Sequence, residues 1–151
     1  MADLSFELVG VDALAKKLDR LGVDVEAALV SICEAGGEVV RQAAADNAPG
    51  DIGANMTMET LSKKRGQVGV GVGPNKKQWY ARFVEFGRGA YHVKIVDKQG
   101  LTIGKNLLRG SADIPAMESR PFLAPALDTN KPDINRAMGK KTDAVIKRAA
   151  K

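Results

Sequence analysis

A single histidine, His92, and a single cysteine, Cys33, bound the chemistry open to this chain. A metal site built from several His or Cys ligands is excluded within one copy. A Ser-His-Asp triad has to use His92, which falls in a segment that reads as a hairpin, far from any nucleophile-elbow pattern. A surface or packing role is the expectation for that imidazole. Cys33 lies near the apolar face of a long helical segment, where it serves as a small apolar residue rather than a reactive thiol. With one cysteine no intrachain disulfide forms, and the usage fits a cytosolic setting. Gly69-x-Gly71-x-Gly73 resembles a phosphate loop, but a dinucleotide fingerprint needs strand, turn and then helix. Here the glycines alternate inside a strand pattern and Pro74 follows. Glu85 has Arg82 at i−3 and Arg88 at i+3, so a local ion pair accounts for it. No second carboxylate stands beside it for acid–base work. The expectation is a protein that is not an enzyme, with no catalytic residue, no metal and no cofactor.

The 151 residues suit one domain with one modest core. A hydrophobic fraction of 44% with 27% charged residues is that of an ordinary globular protein. No apolar run reaches the roughly 18 residues that a membrane span needs, and Met1-Ala2-Asp3-Leu4-Ser5 does not read as a signal peptide. The net charge of +5 hides a division. Residues 1–60 carry 11 acids and 4 bases, whereas residues 61–151 carry 7 acids and 19 bases. That split favours an anionic partner for the second half, pairing between neighbours in an assembly, or an unevenly charged solvated surface. Aromatics make up 5% of the chain, and none interleaves with the bases of the last helical segment, which argues against single-strand stacking. Neither helix-turn-helix nor zinc-finger spacing occurs. A small basic protein touching phosphates without sequence preference is the alternative reading.

The elements that would position these groups follow from period and punctuation. Leu4–Val9 reads as a short strand. Asp12 opens a helix with Leu14, Leu18 and Leu21 on one side and Gly22 as its stop. Asp24 caps a second helix whose Val25, Leu29, Ile32, Gly36, Val39 and Ala43 share a face, ending near Asn47 ahead of Pro49. That helix spans about 22 residues, roughly 33 Å at 1.5 Å per residue. Gly36-Gly37 in its middle costs on the order of 1–2 kcal/mol against alanine, which implies a bend or, preferably, a closely packed neighbour. Residues 55–73 read as a hairpin with the basic tip Lys63-Lys64-Arg65-Gly66. In its second limb the valines face the core and the glycines leave the other face bare. Trp79–Phe86 is ambiguous between helix and strand, with helix preferred and Gly87 as its stop. Residues 91–103 read as a second hairpin, His92–Val96 against Leu101–Ile103, and 104–120 as irregular. Pro121–Leu127 opens with one helical turn. Pro132 and Asp133 start a last helix with Ile134, Met138, Val145 and Ala149 inward and Arg136, Lys140, Lys141, Lys147 and Arg148 outward. The expected fold is α+β: a single domain over residues 1–151, helices packed on a small, mostly antiparallel sheet, with a protruding β-hairpin. Residues 91–119 form its extended hairpin or loop arm.

Three segments carry a resemblance: Ala48-Pro49-Gly50-Asp51-Ile52-Gly53-Ala54-Asn55-Met56, Trp79-Tyr80-Ala81-Arg82-Phe83-Val84-Glu85-Phe86-Gly87 and Ser119-Arg120-Pro121-Phe122-Leu123-Ala124-Pro125-Ala126-Leu127. In order and spacing they resemble the neck and tail-completion proteins of tailed bacteriophages, the head–tail joining or minor tail components, over roughly residues 10–150. The chain departs from the family pattern at Ala54-Asn55-Met56, where a leucine-arginine type pair is common after the glycine, and between Gly87 and Arg120, a stretch longer than in compact members. The resemblance implies a structural virion protein, made in the host cytoplasm, that forms a ring at the head–tail junction as a neck, tail-terminator or tail-completion layer. It implies a homo-oligomer, hexameric by expectation, contacting head-closure or connector proteins on one side and tail-tube or terminator proteins on the other. DNA passes through its lumen without specific binding, and no membrane is involved. The motif residues it marks for the fold or its interfaces are Pro49, Gly53, Tyr80, Ala81, Val84, Glu85, Gly87, Arg120, Pro121, Phe122, Leu123 and Pro125. Rings close through heterologous contacts, for which an acidic first half and a basic second half are suited.

Overall fold

The computed structural model describes residues 11–22, 24–64, 67–94, 101–103, 106–108 and 110–149. The expected strand Leu4–Val9 and the Arg65-Gly66 tip lie outside these residues. In order the elements are α1 (Val11–Arg20), α2 (Val25–Asn47), α3 (Asp51–Ala54), β1 (Met56–Lys64), β2 (Gln67–Pro74), a 3-10 turn (Lys76–Gln78), α4 (Ala81–Phe86), β3 (Tyr91–Lys94), β4 (Leu101–Ile103), β5 (Asn106–Leu108), β6 (Ser111–Ile114), α5 (Leu123–Thr129) and α6 (Lys131–Ala149). All strand pairs are antiparallel, and the fold is α+β as the sequence implies. The chain divides into two compact units, Met1–Ala81 with Pro121–Lys151, and Arg82–Arg120.

In the first unit α2 is the central element. Asp24 caps it, its Oδ1 accepting from the Ala27 N–H at 3.1 Å. Ahead of it, Gly22 at φ +69° closes α1, as the glycine after Leu21 implied. Leu18 is fully buried, but Leu21 is 40% exposed, against expectation. It lies past the last helical residue, so the turn sets its direction and the 3.6-residue period does not. On α2 the buried residues are Ala28, Leu29, Ile32, Cys33, Gly36, Gly37, Val40 and Ala44. Val25, Val39 and Ala43, expected on the core face, are half-buried. The face is wider than a single stripe because two elements cover it. A Cβ on Gly36 would meet Met138 and Ile134 of α6, whereas one on Gly37 would meet Met58 of β1 and Val70 of β2. The glycine pair therefore marks close packing on two sides.

β1 and β2 form the expected hairpin, with a register irregularity between Thr60 and Ser62. Val70 and Val72 face inward and are buried. The glycine face is not bare. Leu61, at the irregularity, folds across it, and a Cβ on Gly71 would lie 2.9 Å from the Leu61 Cδ1. Phe122, Leu123 and Ala126 of the next segment are buried, with α5 against α2. Asn130 separates α5 from α6, its Nδ2 donating to the Ala126 carbonyl at 2.9 Å and its own carbonyl accepting from the Ile134 N–H at 2.9 Å. Pro132 sits in the first turn of α6, where its missing N–H is not needed. Ile134 and Met138 are buried, Val145 and Ala149 half-buried, and the basic residues of the opposite face exposed.

The second unit begins within α4, which is helical as preferred and closed by Gly87 at φ +73°. β3 pairs with β6, Tyr91 opposite Ile114, and β4 pairs with β5, Leu101 opposite Leu108. The expected pairing of residues 92–96 with 101–103 is thus replaced by two nested ribbons. Residues 104–120, expected to be irregular, supply a strand to each. The cue was present but short: Ala112 and Ile114 are half-buried between the exposed Ser111 and Asp113, an alternation only four residues long.

Candidate interaction site

At the C-terminal end of α2 the chain reverses through Pro49 and Gly50, the latter at φ +56°. α3 then buries Ile52 and presses Gly53 against α2, so closely that a Cβ there would collide with the Ala45 carbonyl oxygen. Only glycine fits. Asn55 ends this turn and locks it to the end of β2: the Asn75 N–H donates to the Asn55 carbonyl at 2.9 Å, and the Asn75 side-chain amide to Asn55 Oδ1 at 2.9 Å. Asn75 also caps the following 3-10 turn, its Oδ1 accepting from the Lys77 N–H at 3.0 Å. This joint holds up Trp79 and Tyr80, whose rings meet edge to face at 6.2 Å. Trp79 is 69% exposed and Tyr80 37%, with Lys76 and Lys77 exposed beside them. A rigidly presented aromatic pair with a basic rim is the composition of a protein-binding anchor, since large flat side chains lose little rotamer freedom on docking.

In the second unit Val84 and Glu85 are buried, while Phe86 is 69% exposed. Beyond Gly87 the backbones of Arg88 and Met117 exchange two hydrogen bonds of 2.8 Å, and the Arg120 N–H donates to the Val84 carbonyl at 2.7 Å. The Arg88 guanidinium lies 4.6 Å from the Tyr91 ring centroid and donates to the Tyr91 hydroxyl at 3.0 Å and the Pro115 carbonyl at 3.1 Å. His92 Nδ1 lies 2.6 Å from Asp113 Oδ1, across a register pair of the β3–β6 ribbon.

The motif residues therefore divide by role. Pro49 and Gly53 shape the reversal after α2, with Tyr80 near the end of the segment that Asn75 fastens. Ala81 is buried. Val84, Gly87 and Arg120 close the base of the second unit. Phe122 and Leu123 are core, Pro125 accepts from the Thr129 hydroxyl at 2.7 Å, and Arg120 and Pro121 are exposed. Within neither unit do they converge on one site. The sequence reading passed over Trp79 as a site residue, along with Lys76 and Lys77. A lone tryptophan beside two lysines and outside any apolar period was the available signal. Arg88, read only as a partner for Glu85, is the residue that ties Tyr91 to Pro115.

Among the described residues, no three His, Cys, Asp or Glu side chains stand together as a metal site requires. No helix of the described residues is long and apolar enough to cross a membrane. Cys33 is buried against the hairpin, its thiol 3.9 Å from the Val68 carbonyl; burial, and then the nearby Glu34 carboxylate, push its pKa up and disfavour the thiolate.

The family model described as "Bacteriophage HK97-gp10, putative tail-component" matches residues 12–87, from α1 to the glycine that closes α4. The chain belongs to this family. It is a phage tail component, and so a structural part of the virion. The matched span holds the first two sequence blocks and the whole Asn55–Asn75 joint, while the block from Ser119 to Leu127 follows beyond it. No curated protein and no solved structure matches the chain.

Proposed function

We propose that this tail component acts as one head–tail joining domain, assembling into a ring between the head connector and the tail tube as a neck, tail-terminator or tail-completion layer. Its membership of the tail-component family carries the reading. The presentation of Trp79 and Tyr80 inside the matched span adds support, because exposed aromatics held on a fixed turn suit docking to other protein surfaces. Its part is surface complementarity, with no bond-making step of its own. The ring is hexameric, it contacts the connector side and the tube side, and DNA passes its lumen without specific recognition.

A phage lacking this gene, examined by electron microscopy, tests the proposal. Filled heads and separate tails, restored to joined particles by adding the purified protein, are the expected result. Joined particles in the absence of the protein refute it. The exposed bases of α6 favour a second reading, contact with DNA phosphates. That reading requires tight binding to duplex DNA that falls steeply with salt.

A further inference from the structure

We infer that the Trp79–Tyr80 patch of one copy docks on the α1–α2 turn of the next copy, around Leu21. Both patches belong to the first unit. The aromatic patch is tied by Asn75 to Asn55, which ends α3, the short helix that packs on the C-terminal end of α2. Leu21 precedes the N-terminal end of the same helix. α2, 23 residues and about 33 Å long, runs between these two ends. They cannot meet within one copy.

Their chemistry is complementary. Trp79 and Tyr80 offer a large apolar surface, edged by the exposed Lys76 and Lys77. At the other end Leu21 is an apolar side chain 40% exposed on a tight turn, with exposed Asp19, Asp24 and Glu26 around it. Arg20 is the only base between residues 19 and 26. An apolar knob in an acidic rim thus faces an aromatic plate with a basic rim. Like patches repel, Lys against Lys and Asp against Asp, so each patch prefers the unlike patch of another copy; one such contact per neighbour gives head-to-tail addition, and two within a pair give a two-fold dimer. A heterologous contact of that kind closes into a ring when its rotation closes and otherwise grows into a filament.

This inference rests on the ring reading and names the contact that builds it, and disulfide trapping tests the two separately. In full-length protein carrying Cys33→Ala, Leu21→Cys and Lys77→Cys are introduced singly and together, then oxidised. The double variant is expected to give a covalent ladder that stops at the ring number, and each single variant to stay monomeric. An equal mixture of the single variants is expected to give one heterodimer band and nothing larger. Dimers of either single variant with itself, or no crosslinked product from the double variant at millimolar concentration, overturn the contact. If rings are nonetheless seen at the junction in particles, the ring reading survives that loss. A ladder that grows without limit into fibres, or a product that stops at a dimer, keeps the contact and removes the ring. Trp79→Ala within the double variant is expected to cut ladder yield at least tenfold, and an unchanged yield overturns the aromatic anchor.

Discussion

Replacing Gly37 with alanine sets two opposed terms against each other in the middle of α2. In an exposed helix the change gains about 1 kcal/mol, because glycine is the poorer helix former by that amount. Here the new methyl would stand 2.9 Å from the Val70 Cγ1 and 2.7 Å from the Met58 Sδ. Methionine can swing away, but Val70 is β-branched, 3% exposed and fixed in β2, so the helix and the hairpin must separate. Overpacking of that kind costs roughly 1–3 kcal/mol. The expected balance is a net loss of about 1 kcal/mol, a fall in Tm of about 2–4 °C for a chain of this size. Gly36→Ala meets chiefly the flexible end of Met138, with Ile134 Cγ2 at 3.2 Å, and should fall within about 1 kcal/mol of neutral. Urea unfolding followed by circular dichroism at 222 nm measures both. The coupling is testable too: in a Val70→Ala background Gly37→Ala should lose most of its cost, giving an interaction energy of about 1–2 kcal/mol. A Gly37→Ala variant that is about 1 kcal/mol more stable than the parent refutes the close approach of α2 to β2.

Gly87→Ala should destabilise more than either, by about 2 kcal/mol or more in the same assay, because a φ of +73° disfavours L side chains and the new methyl would press on the backbone of residues 117–119. Asp24→Ala removes the acceptor at the start of α2 and is expected to cost about 1 kcal/mol, with Asp24→Asn recovering most of it. Cys33 should react with a thiol reagent only on unfolding. Since burial raises its pKa above the ordinary 9.0, its contribution to stability is complete below that pH and lost as pH rises past it. Unfolding midpoints from pH 7 to 10.5 should therefore decline at the alkaline end, and less steeply in Cys33→Ala. Equal slopes in the two proteins count against a buried neutral thiol.

The helices and the first hairpin were legible because their signals are local. Asp24, Gly22 and the glycine after Phe86 act within a turn of where they stand, and the Val/Gly alternation of β2 states its own period. Gly36-Gly37 announced a close neighbour without naming it, since α6 comes almost a hundred residues later. Leu21 was misassigned, and the cover that Leu61 gives the glycine face was missed, for one reason. Each sits where the regular period breaks, one past a helix end and one at a strand irregularity, so its direction comes from the break. The nested pairing of β3 with β6 depends on contacts about twenty residues apart along four-residue strands, too short for alternation to register. Trp79 was hidden by the opposite error, an aromatic residue counted toward a helix that begins only at Ala81.

The stem of the second unit has its own consequence for how related chains can differ. The main chain leaves the first unit at Ala81 and returns to it at Pro121, and between these points Val84 with Arg120 and Arg88 with Met117 zip the two limbs together. A closed stem isolates whatever hangs from it. Between Lys94 and Ser111, insertions or deletions that leave the β4–β5 pair in place lengthen or shorten a segment whose two ends are already joined, and each doubling of a flexible loop costs only about 0.6 kcal/mol. Length changes in this stretch are absorbed within the second unit, while α2 and the elements packed on it stay as they are.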